Sequence, residues 1–448
     1  MNLEQIKIIY FLGIGGIGMS AIARYFKALG FIVSGYDKTR TELCIALENE
    51  GIEIVYDENY ELIPELVYQN NGIESLIIYT PAIPKDHKGL VYLRNLGLRI
   101  YKRAEILGII SRNFTTIGIA GTHGKTTTST MLSWILKESG KNTGAFLGGI
   151  STNFSSNLLL PTKENPLIVV EADEFDRSFL HLSPDSGIIT STDADHLDIY
   201  GDAKSVESSF NEYASKINKR LLVKWGLPIN TENLSAEIFY YGLNHKAHYY
   251  ADKIRIEDSS YVIDIVCPEG VISDVSLGLP GIHNVENAVA ATAIAIYYGC
   301  ELDQIKKALS SFKGVKRRFE YQIKSPKVVY VDDYAHHPTE LNSAIQSLRQ
   351  LYNTKKICGV FQPHLFSRTK DFADGFAQSL DQLDIAIVLD IYPARELPIP
   401  GINAEFLLNK MKNPSKFLCS KSNLIEQLNE LDFDVLITLG AGDIDTLV

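Results

Sequence analysis

A glycine-rich stretch between residues 118 and 128 carries the residue types of a phosphate site. The letters GIAGTHGKTTT place Lys125 and Thr126 directly after Gly124, where an apolar strand gives way to a helix. The backbone N–H groups of such a turn and the positive end of the following helix form a concave anion site. Lys125 offers a charge to the outer phosphates of a nucleotide, and the Thr126 hydroxyl can reach Mg²⁺. The stretch is a shortened form of the phosphate-loop pattern.

Two acidic stretches follow apolar strands further along the chain. LIVVEADEFDRSF contains Glu171, and IITSTDADHLDIYGD contains Asp195 and His196. In open α/β sheets ligands gather at the carboxyl ends of the strands, so we expect both stretches to lie beside the lysine turn. Mg²⁺ takes a few oxygen ligands and keeps waters and substrate phosphates. Thr126 and Glu171 are therefore the first pair predicted to hold it.

A second glycine turn stands near the start of the chain. Gly13, Gly15 and Gly18 give the spacing G-x-G-x-x-G after a strand, and Asp37 follows the next strand. The spacing suits a dinucleotide site with Asp37 on a ribose hydroxyl. It also suits the pyrophosphate of another nucleotide, and the lysine turn downstream favours this second interpretation because a dehydrogenase does not need one. A tight turn with a purely structural role is the third interpretation.

Length, charge and cysteine usage limit the class of protein. A chain of 448 residues is long enough for roughly three domains. The net charge of −11 argues against a general affinity for nucleic acid or for an anionic membrane. The five cysteines are far apart, which favours a reducing cytoplasm over a disulfide framework. We expect no membrane span.

Apolar runs alternate with helical segments along most of the chain. Helices predicted over 19–29 and 41–50 are each followed by glycine, a typical stop signal. Strands that alternate with helices predict an α/β fold with parallel sheets covered on both faces. Changes in this pattern suggest three domains, with bounds at 1–112, 113–313 and 314–448.

Several motifs taken together resemble the Mur ligases of peptidoglycan synthesis. The motifs include GIGGIGMS, GTHGKTTT, EADEFDRSFL, DADHLDIYGD, GIHNVENAVAA, GVKRRFEY, DDYAHHPTE and FQPHLFSRT, and they cover nearly the whole chain in this order. The resemblance implies a Rossmann-like N-terminal domain for a UDP-substrate and a central P-loop ATPase-like domain. It also implies a Rossmann-like C-terminal domain that receives the amino acid and closes on both nucleotides.

The reaction implied by the resemblance forms an amide bond at the expense of ATP. The lactyl carboxylate of UDP-N-acetylmuramate would attack the γ-phosphate of ATP, and the amine of L-alanine would then displace phosphate from the acyl phosphate. ATP and Mg²⁺ are the implied cofactors. We expect a cytoplasmic monomer or weak homodimer with no nucleic acid and no membrane among its partners.

The resemblance also implies roles for individual residues. Lys125, His196 and Arg318 would act on the phosphates, His196 by holding a second Mg²⁺. His336 and Arg368 would face the reacting carboxylate and amine. The predicted ATP site consists of Gly121, Thr122, His123, Gly124, Lys125, Thr126, Thr127, His283, Asn287, Arg318 and Asp332. The predicted substrate site consists of Gly15, Gly16, Ile17, Gly18, Asp37, Tyr334, His336, His364 and Arg368. The predicted metal ligands are Thr126, Glu171 and His196.

Three alternatives stay open at the level of the sequence. Another ligase of the same family could add a ready-made tripeptide or a later residue of the peptide. An NAD-dependent dehydrogenase would use the first glycine turn and Asp37. A nucleotide-binding scaffold without catalysis is disfavoured because Lys125, Thr126, Glu171 and His196 occur together.

Overall fold

The computed structural model of the chain describes residues 5–193, 197–394 and 396–447. The described residues form three sheets, of five, ten and six strands, with helices between the strands. The α/β class predicted from the alternating pattern is therefore confirmed. Within the described residues, no helix combines the length and the apolar character that a membrane span requires.

The first sheet is parallel throughout, with the order β3-β2-β1-β4-β5. Its strands are β1 (Ile8–Leu12), β2 (Ile32–Tyr36), β3 (Glu53–Val55), β4 (Ser75–Tyr79) and β5 (Ile100–Lys102), and its helices are α1 (Ile17–Ala28), α2 (Glu42–Asn49), α3 (Lys88–Asn95) and α4 (Arg103–Ser111). All five residues of β1 are buried. A strand covered on both faces needs such a continuous apolar run, which explains the letters IIYFL.

The second sheet has the order β15-β14-β13-β12-β11-β10-β6-β9-β7-β8. Its strands are β6 (Thr115–Ala120), β7 (Thr143–Ser151), β8 (Ser156–Leu159), β9 (Leu167–Ala172), β10 (Ser186–Ile189), β11 (Arg220–Lys224), β12 (Glu237–Gly242), β13 (Tyr249–Glu257), β14 (Ser260–Cys267) and β15 (Gly270–Ser276). Its helices are α5 (Lys125–Glu138), α6 (Leu197–Tyr200), α7 (Ala203–Ser215), α8 (Ile282–Tyr297) and α9 (Leu302–Ser311). Strand β6 lies between β9 and β10 and runs parallel to both, so the loops after these three strands meet at one edge.

The third sheet has the order β16-β17-β21-β18-β19-β20, and β16 pairs antiparallel while the other pairs are parallel. Its strands are β16 (Glu320–Lys324), β17 (Val329–Asp333), β18 (Ile357–Phe361), β19 (Ile385–Val388), β20 (Lys416–Leu418) and β21 (Val435–Leu439), and its helices are α10 (Pro338–Leu351), α11 (Phe366–Leu380), α12 (Ala404–Lys410) and α13 (Leu424–Asn429). Proline is the first residue of α10, where its missing N–H costs no hydrogen bond.

By compactness the chain divides into two units. The first consists of Met1–Asp252, Ile265–Ile272 and Asn287–Leu309, and the second of Lys253–Asp264, Ser273–Glu286 and Ser310–Val448. Both glycine turns lie in the first unit. The domain bounds read from the sequence stay a prediction.

Candidate active site

The lysine turn joins the end of β6 to the start of α5. Gly121 has φ of +139°, and a Cβ there would lie 2.8 Å from the backbone nitrogen of Ser191, which belongs to the loop after β10. The same loop holds the turn by hydrogen bonds, because the His123 N–H donates to the Ser191 hydroxyl at 2.7 Å. The Thr122 hydroxyl donates to the carbonyl of Asp193 at 2.9 Å. Glycine is therefore required at position 121, and the turn is rigidly placed at the start of the helix.

Lys125 makes two short contacts, one inside the turn and one with the acidic stretch after β9. Its Nζ donates to the Gly121 carbonyl at 2.7 Å and to Glu174 Oε2 at 2.6 Å. Burial opposes the charge of Lys125, but the carboxylates of Glu174, Asp173 and Glu171 outweigh burial and raise its pKa. Lys125 thus stays a cation at neutral pH, directly at the predicted phosphate site.

Glu174 is a residue of this site that the sequence interpretation did not single out. Its side chain is 3% exposed, and burial raises its pKa to about 7, against the opposing pull of Lys125. The Tyr200 hydroxyl donates to the Glu174 backbone carbonyl at 2.6 Å and fixes the loop. The signal was present in the letters EADEFD, but the spacing does not show which carboxylate turns toward the lysine. A phosphate bound at the predicted site would have to compete with Glu174 for the ammonium group of Lys125.

Glu171 lies near the end of β9, opposite Ile119 of the adjacent strand β6. The Gly148 N–H, from β7, donates to Glu171 Oε2 at 3.1 Å. Thr126 is buried in the first turn of α5. A carboxylate and a hydroxyl are hard oxygen ligands, so this pair fits a Mg²⁺ that keeps waters and substrate phosphates as its other ligands. The third predicted ligand, His196, lies outside the described residues, and the described side chains contain no group of three metal-ligating residues.

Asn287 faces the lysine turn from α8. Its Oδ1 accepts a hydrogen bond from the Thr128 hydroxyl at 3.0 Å and would lie 2.9 Å from a Cβ on Gly124. Asn287 was predicted to face the adenine of ATP. The contact shows that it braces the helix that begins at the turn, and the adenine role stays a prediction.

The first glycine turn follows β1 and precedes α1. Asp37 follows β2, and its Oδ2 accepts the Gly15 N–H at 2.8 Å, while its Oδ1 accepts the Thr39 N–H at 3.2 Å. The carboxylate therefore fixes the turn from the adjacent strand. Gly16 is the residue before α1, and Ile17 and Gly18 form its first turn, where backbone N–H groups have no partner within the helix. The ribose contact predicted for Asp37 is not tested by this geometry.

The second unit holds the two arginines of the KGVKRRFE stretch. Arg317 donates through Nε to Asp332 Oδ2 at 3.1 Å and through Nη2 to the Gly440 carbonyl at 2.6 Å. Asp332 is 1% exposed and also accepts the Thr438 hydroxyl at 2.6 Å. Arg318, whose side chain is 31% exposed, lies over the Tyr334 ring. Arg317 is engaged in bonds within its own unit, which is consistent with the choice of Arg318 as the arginine for ATP. Asp332 is bonded to Arg317 and Thr438, so its predicted contact with ATP would require these hydrogen bonds to rearrange.

Asp333 is the second residue that sequence reasoning missed. Its carboxylate accepts the N–H groups of Phe319 and Ala335, both at 2.8 Å, and so ties the arginine stretch to the loop after β17. Burial raises its pKa to about 7. The adjacent aspartates look equivalent in the letters VDDY. Successive side chains of a strand point to opposite faces of the sheet, and this alternation decides which aspartate organises the loop.

His336 and His364 come together at the carboxyl ends of β17 and β18. Their ring centroids are 6.2 Å apart, and His364 stacks on Tyr392 at 5.7 Å. His336 Nδ1 lies 2.9 Å from the Tyr334 carbonyl, so this nitrogen must carry the proton and the other ring nitrogen can accept one. Burial lowers the pKa of His336, and the charge of Arg368 acts in the same direction. The structure thus brings together four residues of the predicted amino-acid pocket.

Acid is expected to weaken the second unit through His283. Its Nδ1 lies 2.7 Å from the Ser343 hydroxyl, and burial lowers its pKa from 6.5 to about 4. The folded protein binds this proton less readily than the unfolded chain does, so the stabilisation is complete above pH 6.5 and is lost as the pH falls toward 4. The loss reaches roughly 3 kcal/mol, because one pKa unit corresponds to about 1.4 kcal/mol.

Urea unfolding at pH 7.5 and pH 4.5 measures this effect. The wild-type protein is expected to lose more stability on acidification than the variant His283→Gln, which lacks the titrating ring. The same loss in both proteins would contradict the assignment.

The chain matches known protein-family domains over most of its length. The catalytic domain of the Mur ligase family matches residues 8–115, the Mur ligase middle domain matches residues 119–295, and the glutamate ligase domain of Mur ligases matches residues 317–442. The chain belongs to the Mur ligase family. The resemblance stated from the motifs is confirmed, and so is the prediction of an ATP-dependent ligase.

Individual relatives of this Mur ligase match it over its full length. The UDP-N-acetylmuramate–L-alanine ligase of Christiangramia forsetii is 50% identical over 445 residues, which are 99% of this chain and 96% of that protein. The ligase of the same name from Flavobacterium psychrophilum is 51% identical over 450 residues, 100% of this chain and 98% of that protein.

Solved structures share the fold of this Mur ligase. The UDP-N-acetylmuramate-alanine ligase of Thermotoga maritima has a TM-score of 0.83 at 27% identity and covers 98% of this chain and 96% of its own. A murein peptide ligase from Psychrobacter arcticus has a TM-score of 0.71 at 23% identity, with 98% and 97% covered, and shows the shared fold alone. The predicted fold class, with Rossmann-like outer domains and a P-loop-like central domain, is confirmed.

Proposed function

We propose that this chain joins L-alanine to the lactyl carboxylate of UDP-N-acetylmuramate, with ATP as the phosphate donor, in the synthesis of peptidoglycan precursors. Two relatives with about half of their residues identical, over nearly the whole of both chains, carry this activity in their names. The observation that carries the proposal is the presence of two glycine turns in one compact unit, of which one holds a partly buried lysine.

The lysine turn is assigned to ATP. Lys125 would bind the β and γ oxygens, and the backbone of residues 121–126 would surround the phosphates. Thr126 and Glu171 would hold Mg²⁺, with His196 as the proposed ligand of a second ion; bound Mg²⁺ lowers the repulsion between the substrate carboxylate and the triphosphate. The protein's part in the first step is therefore to position two anions against each other.

The first turn is assigned to the UDP-sugar. Its N–H groups and those of the first turn of α1 would bind the diphosphate. The sugar then extends toward the acidic stretch after β9, which belongs to the same compact unit as the first turn. We propose residues 1–112 as the UDP-substrate domain and residues 113–313 as the ATP domain.

The loops of the third sheet are assigned to the amino acid, within a proposed domain of residues 314–448. Tyr334, His336 and His364 would line the pocket, and Arg368 would hold the carboxylate of L-alanine through its planar fork. The ammonium group of the amino acid must lose a proton before it attacks the acyl phosphate. The unprotonated ring nitrogen of His336 would accept this proton. Arg318 would reach the ATP phosphates.

The choice of amine donor tests this proposal. Purified protein is given ATP, Mg²⁺ and UDP-N-acetylmuramate, and phosphate release and amide product are measured with L-alanine, glycine, L-serine or a peptidoglycan tripeptide. We expect the highest kcat/KM with L-alanine. Product with the tripeptide alone would support the murein peptide ligase alternative, and hydride transfer with a nicotinamide cofactor would support the dehydrogenase alternative.

A further inference from the structure

A cation from another part of the chain lies against the first glycine turn. Arg103 is the first residue of α4, about 85 residues after the turn in sequence. The Cδ and Cζ atoms of Arg103 would each lie 3.2 Å from a Cβ on Gly18, and its Nη1 would lie closer still. Glycine at position 18 therefore allows the guanidinium to lie directly beside the first turn of α1, where phosphates are proposed to bind.

The turn has no cation of its own. The letters YFLGIGGIGMSAIA, residues 10–23, contain neither lysine nor arginine. Arg24, which follows, forms an ion pair with Glu50 at 2.7 Å and also bonds to Asn157. Asp37 adds a negative charge, because its carboxylate accepts the Gly15 N–H. A diphosphate at this turn thus needs a positive charge from elsewhere to offset Asp37.

The guanidinium also borders a cavity of about 70 Å³. Ile17 and Gly18 of α1 line this cavity, and so do Glu171 and Asp173. The cavity lies within the first compact unit, between the first turn and the carboxylates beside the lysine turn. A group bound at the first turn would therefore lie next to a cavity that the predicted Mg²⁺ ligand Glu171 also lines.

Most of the hydrogen-bonding capacity of Arg103 is available to a ligand. Its Nη2 lies 3.3 Å from Asp173 Oδ2, which is longer than the 2.7–2.9 Å typical of a bond between charged groups. Among the described residues this is its one hydrogen bond, while a guanidinium has five N–H donors. The neighbouring Lys102 forms a closer pair with Asp176, at 2.8 Å. Arg103 thus keeps donors that no described residue accepts, with its fork beside the turn.

We propose that Arg103 binds the diphosphate of the sugar nucleotide and supplies the cation that the first glycine turn lacks. Through Asp173 it also joins this site to the acidic stretch that carries Glu171. The inference rests on the proposed function, because it takes the UDP-sugar as the occupant of the first turn. The competing explanation is that Arg103 serves as an ion pair between α4 and the loop after β9 and contacts no ligand.

Calorimetric titration without ATP or Mg²⁺ separates the two explanations. The probes are UDP-N-acetylmuramate, UDP and UMP, and the proteins are wild type, Arg103→Met, Arg103→Lys and Asp173→Asn. A bond from a charged donor corresponds to about a 10- to 100-fold change in affinity. We expect Arg103→Met to bind UDP-N-acetylmuramate and UDP 10- to 100-fold more weakly, with a smaller loss for UMP, and Arg103→Lys to recover part of the affinity.

Lys102→Met is the matched control, because it removes a neighbouring cation that pairs with Asp176 rather than bordering Gly18. This control is expected to bind UDP-N-acetylmuramate within about threefold of wild type. All variants except Asp173→Asn should also bind an ATP analogue with Mg²⁺ as wild type does. Asp173→Asn is excepted because it adjoins the predicted metal site. Equal UDP affinity in Arg103→Met and wild type would overturn the inference. An equal loss in Asp173→Asn would also overturn it, because the ion pair would then explain the effect. Wild-type protein that binds no UDP-N-acetylmuramate would instead overturn the proposed function.

Discussion

Replacing Lys125 with alanine is expected to reduce ATP-dependent amide formation by at least about 1000-fold, while the affinity for UDP-N-acetylmuramate stays within about twofold of wild type. The reason is the position of the ammonium group, which lies 2.7 Å from the Gly121 carbonyl inside the turn assigned to ATP. The first glycine turn belongs to a different sheet and keeps all of its contacts in the variant. Steady-state kinetics and calorimetric titration of the UDP-sugar measure the two effects separately.

The variant also removes the ion pair between Lys125 and Glu174, so its folding must be checked. Burial already raises the pKa of Glu174 to about 7, and a glutamate that can take up a proton avoids most of the cost of keeping a buried charge once the lysine is removed. Lys137→Ala, in the last turn of the same helix, is the control and should retain full activity. If Lys125→Ala lost affinity for both nucleotides while it stayed folded, the assignment of one turn to each nucleotide would be wrong.

Replacing Gly121 with alanine is expected to abolish binding of an ATP analogue and to lower the free energy of unfolding by about 3 kcal/mol. The backbone at Gly121 has φ of +139°, and the new methyl group would lie 2.8 Å from the Ser191 nitrogen and 3.0 Å from the Thr190 nitrogen. These two neighbours are backbone atoms, which cannot move aside as the nearer Thr190 hydroxyl could. The loop after β10 must shift, and the turn loses the hydrogen bonds that shape it.

Gly140→Ala provides a matched control for this variant. Gly140 follows α5 with φ of +74°, and a Cβ there has no neighbour within 4 Å. It therefore carries the cost of the left-handed conformation, about 1 kcal/mol, without the collision. Fluorescence titration with an ATP analogue and urea unfolding compare the two. Gly121→Ala that bound the analogue as tightly as Gly140→Ala would show that the turn does not hold the phosphates.

Local features of this fold were predictable from the sequence because they depend on neighbours in the chain. The helix predicted over 19–29 extends from Ile17 to Ala28, and Gly30 follows it with φ of +90°. Helix α10 begins at Pro338, a residue type that suits the first helical position, and His337 caps it by accepting the Thr339 N–H. Apolar runs of the length of β1 and β6 indicated buried parallel strands for the same reason.

Contacts that depend on the sheet order were not predictable. Lys125 and Glu174 are separated by 49 residues, and they meet because β6 and β9 are adjacent in the second sheet. Arg103 reaches Gly18 because α4, which follows β5, lies against α1. Spacing in the sequence indicates which residues follow a strand, whereas the order of strands decides which of those residues meet.

A crystal structure of the protein with a non-hydrolysable ATP analogue, Mg²⁺ and UDP-N-acetylmuramate tests the central claim most directly. We expect the triphosphate against residues 121–126 with Lys125 on its outer oxygens, and the uridine diphosphate at Gly15–Gly18. A triphosphate at the first turn, or a uridine nucleotide bound anywhere else, would contradict it.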